Sequence, residues 1–204
     1  YVQSSPWLQT GEGLVQNLKF GIDMCKEYDT KPVDNGYVPD QFIHPHQMPQ
    51  ILKGVGINHY SFSRGIGNHE DEFGIGAEFM WKGMDGSELL AVHLRAGYGT
   101  CANLSENPDI AMNTCVMDIS SISEMKWATN LRVGFAGSDH SEPQDVFKEV
   151  MEIFNDDEEL TEEFGQLIFS SWEKYFSELK TSLQKDNICL KTFQGEILGK
   201  KYIV

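Results

Sequence analysis

Positive charge is scarce in this chain: 16 Lys and Arg stand against 31 Asp and Glu, a formal net charge of -15 at pH 7. Nucleic acid and anionic membranes both recruit proteins through a basic footprint, so neither is expected as the main partner. Long apolar runs are also missing. No stretch approaches the roughly 20 residues that cross a bilayer, and no signal-peptide pattern opens the chain. The four cysteines, Cys25, Cys101, Cys115 and Cys189, are widely spaced and contain no C-x-x-C pair. That usage reads as reduced structural thiols in a cytoplasmic protein rather than a disulfide framework or a thiolate metal site. Internal repeats and low-complexity tracts are absent. The first residue is Tyr1 and the opening reads as mid-domain, so the chain is expected to be an interior piece of a larger protein.

What remains is globular in character: 204 residues, 40% apolar and 11% aromatic, enough for one sizeable core. Leu14, Leu18 and Ile22 recur at four-residue spacing, widened by Val15 and Cys25, and predict a helix with one buried face. Asp34-Asn35-Gly36 signals a turn, after which Pro39 limits YVPD to a short strand. HQMPQILKGVGI reads as a short helix with Pro49 in its first turn and a glycine ending it. NHYSFSRG reads as a strand running into a glycine-rich loop. EFMW and ELLAVHL flank Asp85-Gly86, a favoured hairpin pair. LRVGFAGSDHSEP predicts a buried strand entering a loop. Beyond Pro143, PQDVFKEVMEIFND and LIFSSWEKYFSELKTSL carry helical periodicity, with NDDEELTEE as an acidic, solvated connection. Alternating helices and short strands indicate α/β architecture, in which working residues sit after the C-terminal ends of strands.

Two acids occupy such places, Asp40 after GYVP and Asp139 after LRVGFAGS. On its own Asp40 reads first as a cap of the helix that follows, ahead of a metal ligand or a nucleophile. His44 and His46 invite a metal reading beside it. Asp139 reads as a turn residue or as an acid, and His140 as an ordinary loop histidine or a site partner.

The run GYVPDQFIHPHQMPQILKGVGI is followed in order by FSRG, EFMWKGMDGSELLAVHLRAGYG, AGSDHSEPQ, WEKYFSELK and FQGEILGKKY. Together these blocks resemble glycoside hydrolase family 38, the retaining α-mannosidases, over nearly all of the chain. The resemblance implies that Asp40 is the nucleophile that forms a glycosyl-enzyme intermediate and also a ligand of a zinc ion that holds sugar hydroxyls. It implies that Asp139 is the general acid/base, and that Arg64 and Tyr98 face the substrate. His140 would hydrogen-bond that site or the sugar. A retaining glycosidase needs an ionised carboxylate under the anomeric carbon and a second carboxyl about 5–5.5 Å away to protonate the leaving oxygen. Such an acid keeps its proton near neutral pH, which partial burial among residues such as Val133 and Phe135 favours. By the same resemblance His44 orients neighbouring loop groups rather than binding zinc, and His46 has no counterpart.

Two departures fall inside the matching blocks: Ile43 stands where the family usually has glycine, and Gln16 where arginine is common. The family's histidine–x–aspartate zinc pair and a later histidine ligand have no match, so zinc is expected in a full-length enzyme and not tightly held by this chain alone. The isolated chain is accordingly expected to be inactive. The implied architecture is one partial catalytic α/β domain over residues 1–204: a core to about residue 142, a helical part to about 186 and an exit segment beyond. Its fold is expected to be an incomplete seven-stranded, barrel-like, mainly parallel sheet flanked by helices. Open sheet edges would favour self-association. The resemblance implies an α-mannoside or a mannosyl conjugate as substrate. Mannosylglycerate or its phosphorylated form is the alternative, with Arg64 and Arg95 as candidate anion partners. A non-catalytic sugar-binding remnant is the reading from another class, and a metal-dependent deacetylase of similar barrel type is the more distant one.

Overall fold

A computed structural model describes residues 6–66 and 73–198. Most of the glycine-rich loop expected after Gly65 and the end of FQGEILGKKY lie outside the described residues. Helix α1 (Gly11–Glu27) starts at Thr10, whose side-chain oxygen accepts from the Gly13 N–H at 3.1 Å. It buries Leu14 and Leu18, as the periodicity predicts, while the farther stripe residue Ile22 is half-buried. Strand β1 (Gly36–Val38) is short, as Pro39 requires. Then come β2 (Ile43–His44), α2 (Met48–Gly54) with Pro49 in its first turn, and β3 (His59–Phe62). β4 (Glu78–Lys82) and β5 (Glu88–His93) form the expected antiparallel hairpin. Gly86 at its turn takes φ 88°, a conformation that costs glycine little.

The C-terminal half departs more from the sequence reading. Helix α3 (Pro108–Ser123) was not foreseen; Asn107 caps it by accepting from the Asp109 and Ile110 N–H groups. Its apolar side chains do not follow one narrow stripe, so periodicity gives little warning of it. Helix α4 (Val146–Asp156) matches the prediction and buries Val150 and Phe154. The acidic connection is instead a helix, α5 (Glu158–Phe164), capped by Asp157. Glu158 and Glu159 in its first turn suit the positive end of the helix dipole. Helix α6 (Trp172–Lys185) starts at the Ser171 cap, so LIFSS lies outside it. β6 (Thr192–Gln194) and β7 (Ile197–Leu198) close the described chain.

The main sheet has the order β1-β3-β5-β4-β6. Its β1/β3, β3/β5 and β4/β6 pairs are parallel and β4/β5 is antiparallel, while β2 and β7 make a separate antiparallel ladder. The sheet is therefore mixed, mainly parallel and flanked by helices, with β1 and β6 at its edges. Its described strands do not close a barrel.

Both faces are apolar, as expected of a sheet covered on each side. One buries Tyr60, Phe62, Phe79 and Trp81 against Leu52 of α2. The other buries Leu90 and Val92 against Tyr175, Phe176 and Leu179 of α6. Glu78 is buried on this second face, where burial pushes its carboxyl above the usual carboxylate range. Its oxygens accept from the Ala128 N–H at 2.8 Å and the Tyr175 hydroxyl at 3.2 Å, fastening a loop and α6 to β4. The chain from Leu131 to Phe135, expected as a strand, joins no ladder.

Trp81 is fully buried and donates from Nε1 to the Gly195 carbonyl at 3.0 Å. Trp81→Ala is expected to lower stability by about 3–5 kcal/mol, combining lost burial with the cavity left behind. A urea midpoint within experimental error of the parent would contradict this packing.

Candidate active site

Three adjacent parallel strands deliver the predicted residues. Asp40 follows β1, Arg64 follows β3, and Tyr98 lies in the loop after β5. This is where an α/β sheet gathers its working groups. The Ser63 and Arg64 N–H groups both donate to the Pro39 carbonyl, at 3.3 and 3.2 Å, so the first two loops are tied together through backbone next to Asp40.

His44 explains much of the local geometry. It is fully buried, with Nε2 at 2.9 Å from the Arg64 carbonyl and Nδ1 at 2.6 Å from the Tyr60 hydroxyl. A carbonyl only accepts, so Nε2 carries the proton and Nδ1 accepts from Tyr60. Burial lowers the His44 pKa to about 4, which keeps the ring neutral near pH 7. Both ring nitrogens are thus engaged, and His44 orients the loop that carries Arg64. The Gly65 backbone packs directly on this ring: at φ 100°, a Cβ there would lie 2.8 Å from both His44 Nε2 and the Phe42 carbonyl. The glycine of FSRG is therefore required on two counts. His93, at the end of β5, donates from Nε2 to the Ser63 carbonyl at 2.8 Å and braces the same loop from the other side. His46 donates to the Lys82 carbonyl at 3.1 Å. Ile43 lies in the β2 ladder opposite Leu198 without a positive φ, so its backbone does not need the freedom of glycine.

Above these braces, the Arg64 guanidinium pairs through Nε with the Asp40 carboxylate. It lies 5.1 Å over the Phe42 ring and hydrogen-bonds Tyr98. The Tyr98 contact, followed by the attraction of Asp40, raises the already high Arg64 pKa. Tyr98 in turn donates to Asp139 Oδ2 at 3.3 Å. Four of the five predicted residues therefore form one continuous chain, Asp40–Arg64–Tyr98–Asp139. The last link is long for an O–H···O bond.

Asp139 sits at the tip of a tight turn, closed by Ser141 Oγ, which donates to the Ser138 carbonyl at 2.6 Å and accepts from the Ser138 N–H at 3.1 Å. This stretch is a turn, and it holds the Asp139 carboxylate at its tip. The expected partial burial of Asp139 among strand residues is not met. Its carboxyl is exposed, while Phe135 stacks on Tyr37 at 5.9 Å and Val133 packs toward α6. The turn reaches further out than a strand end would. His140 is exposed beside it with φ 57°.

Tyr37 of β1 was not singled out in the sequence, where its place in GYVPD suggests only strand packing. It packs on Phe135 and Trp172, and burial, with Tyr98 and Asp139 nearby, raises its pKa to about 12. Gln144 also escaped notice, although it ends the AGSDHSEPQ block. It donates to the Cys101 carbonyl at 2.8 Å and accepts from the Leu104 N–H at 2.6 Å, anchoring the acid's turn from behind.

Zinc does not fit these residues as they stand. Among the described residues no group of three or more His, Cys, Asp or Glu side chains is placed to hold a metal. Asp40 is the one implied ligand, and it is engaged by Arg64.

The model of the glycosyl hydrolases family 38 N-terminal domain matches residues 1–196. The chain belongs to this family. A putative mannosylglycerate hydrolase of Halalkalibacterium halodurans is 27% identical over 211 aligned residues, covering 98% of this chain and 22% of that protein. The alpha-mannosidase 2C1 of Homo sapiens is 30% identical over 108 residues, 52% of this chain and 10% of that one. In three dimensions the chain is similar to an alpha-mannosidase from Enterococcus faecalis V583, with a TM-score of 0.81 at 22% identity, over 97% of this chain and 21% of that one. The chain thus spans about a fifth of the length of the relatives that match nearly all of it.

The state of His44 makes stability depend on pH. Its folded pKa lies below the ordinary value of 6.5, so the unfolded chain binds the proton more readily. The resulting stabilisation is complete above about pH 6.5 and is lost as pH falls toward 4, a change of about 3 kcal/mol. Denaturant unfolding of the parent and of His44→Gln between pH 7 and 4 should give a shallower pH slope in the variant. Equal slopes would show that His44 is not buried and neutral.

Proposed function

We propose that the polypeptide carrying this chain is a retaining α-mannosidase-type glycoside hydrolase that works by double displacement. The observation that carries the proposal is the continuous Asp40–Arg64–Tyr98–Asp139 chain, which joins two carboxylates from distant parts of the sequence. In the first step an Asp40 oxygen bonds to the anomeric carbon, the bond to the leaving oxygen breaks, and Asp139 gives that oxygen its proton. In the second step water attacks the same carbon, Asp139 takes its proton, and the Asp40 ester bond breaks. Arg64 aims Asp40 through their ion pair. Tyr98 links Arg64 to the acid, and its phenol and His140 face the sugar.

A family resemblance assigns zinc to the complete enzyme with Asp40 as one ligand. The isolated chain, which offers that single matched ligand, is proposed to be inactive. The incomplete barrel also belongs to this reading.

A second substrate reading is favoured by the mannosylglycerate hydrolase relative, which matches 98% of the chain. Arg64 and Arg95, the latter exposed after β5, are the candidates for an anionic aglycone. Comparing kcat/KM for mannosylglycerate and neutral mannobiose decides between the two substrates.

In the full-length polypeptide, Asp40→Asn should lower hydrolysis of an activated aryl α-mannoside by roughly 10³-fold or more, as loss of a nucleophile generally does. Near-parental turnover removes Asp40 from this role. NMR of the first-formed sugar should show the α anomer, and an inverted product would end the double-displacement account.

A further inference from the structure

The residues just before Asp139 belong to no sheet, yet they must hold the acid at a fixed distance from Asp40. Buried backbone groups outside a ladder need other partners, so what replaces the ladder here is informative. Thr100, 5% exposed, supplies it. Its hydroxyl donates to the Phe135 carbonyl at 2.8 Å and accepts from the Phe135 N–H at 2.6 Å, clasping one residue at both backbone groups. The Thr100 carbonyl also accepts from the Gly137 N–H at 3.5 Å. A Cβ on Gly99 would meet Ser138 Oγ at 3.4 Å, and Tyr98 reaches Asp139. Residues 98, 99 and 100 therefore run alongside 139, 138 and 137 in reverse order, as a side chain-made substitute for strand pairing.

We propose that Thr100 is a positioning residue for general acid catalysis: its hydroxyl sets the register between the Tyr98 loop and the Asp139 turn. The inference rests on the reading of Asp139 as the acid. Thr100 touches neither the substrate nor Asp139, so its effect passes through the placement of the 135–139 backbone. Sliding of that segment lengthens the already long Tyr98–Asp139 contact and moves the proton away from the leaving oxygen. The attack by Asp40, which Arg64 aims from separately braced loops, is left in place. Loss of Thr100 should consequently harm only those substrates whose leaving group needs a proton.

The test uses the full-length polypeptide and two substrates, 2,4-dinitrophenyl α-mannoside, whose leaving group departs without protonation, and methyl α-mannoside, whose leaving group does not. Thr100→Val, which keeps the shape and removes the hydroxyl, should lower kcat/KM for the methyl glycoside roughly 10–100-fold, a part of the roughly 10²–10⁴-fold that acid–base catalysis contributes. For the dinitrophenyl glycoside the loss should stay below about 3-fold, because that step does not draw on the acid. Thr100→Ser should restore the parental ratio between the substrates, and Thr100→Ala serves if the valine variant does not fold, with melting curves taken for each. Equal losses on both substrates, or none on either, overturn the inference. Asp139→Ala separates the two layers: a selective loss on the methyl glycoside there, with none in Thr100→Val, rejects Thr100 alone. No selectivity in Asp139→Ala rejects the acid and Thr100 together.

Discussion

The structure depends on keeping one guanidinium in one place. Arg64 lies between the two carboxylates, one reached directly and the other through Tyr98. As an ion pair it contributes little to folding. The Arg64 and Asp40 side chains are 43% and 51% exposed, and pairs of that kind are worth about 0–1 kcal/mol. Its value lies in geometry: a planar fork can face a carboxylate and a phenol at once, which a lysine ammonium cannot do with the same orientation. The stabilising energy comes from below, where His44 and His93 hold the carbonyls of Arg64 and Ser63 and Gly65 lets the loop lie flat on the His44 ring. A neutral, buried histidine is well suited to this because it fixes two partners without placing a second positive charge near Arg64.

The two sides of the site are built differently. Asp40 and Arg64 leave the ends of neighbouring parallel strands, so the sheet sets their separation almost unaided. Asp139 comes from a segment outside the sheet and borrows its register from Thr100, with Gln144 anchoring the far side of its turn. Tyr37 joins the two halves, because it sits on β1 while its ring packs on Phe135. A change in the core beneath the sheet should thus move the Asp40 side and the Asp139 side together, whereas loss of the Thr100 hydroxyl acts first on the 135–139 segment.

How far the sequence could show this follows from what each feature depends on. The short strands, the Asp85-Gly86 hairpin and α2 with Pro49 in its first turn are local, and local chemistry marked them. Asp40 and Asp139 were legible as acids in expected loops, and Arg64 and Tyr98 through the family resemblance, but the linkage of the four was not: it depends on four loops meeting in space. Helix α3 hid because its apolar residues do not follow a single stripe, and α5 hid because a run of acids looks solvated whether or not Asp157 caps it into a helix. The segment before Asp139 has strand-like alternation, but no strand lies beside it to pair with, and an unremarkable threonine replaces the missing ladder. His44 could be recognised as a loop-orienting residue, whereas its pairing with Gly65 required the fold.

The exposure of the site has a geometric origin. Among the described residues β1 is an edge strand and Asp40 leaves from its end, so no described strand lies beside one flank of that carboxylate. Water reaches both charges and weakens their mutual attraction; covering that edge would lower the local dielectric, strengthening the attraction while imposing a desolvation cost. A pair held only by its own charge would respond to such a change by shifting or by transferring a proton. Here the Arg64 backbone is fixed by Pro39 and His44, and its side chain is also held by Tyr98 and the face of Phe42. The buried braces, more than the visible ion pair, are what allow two charged groups to keep one arrangement whether the site is open to water or covered.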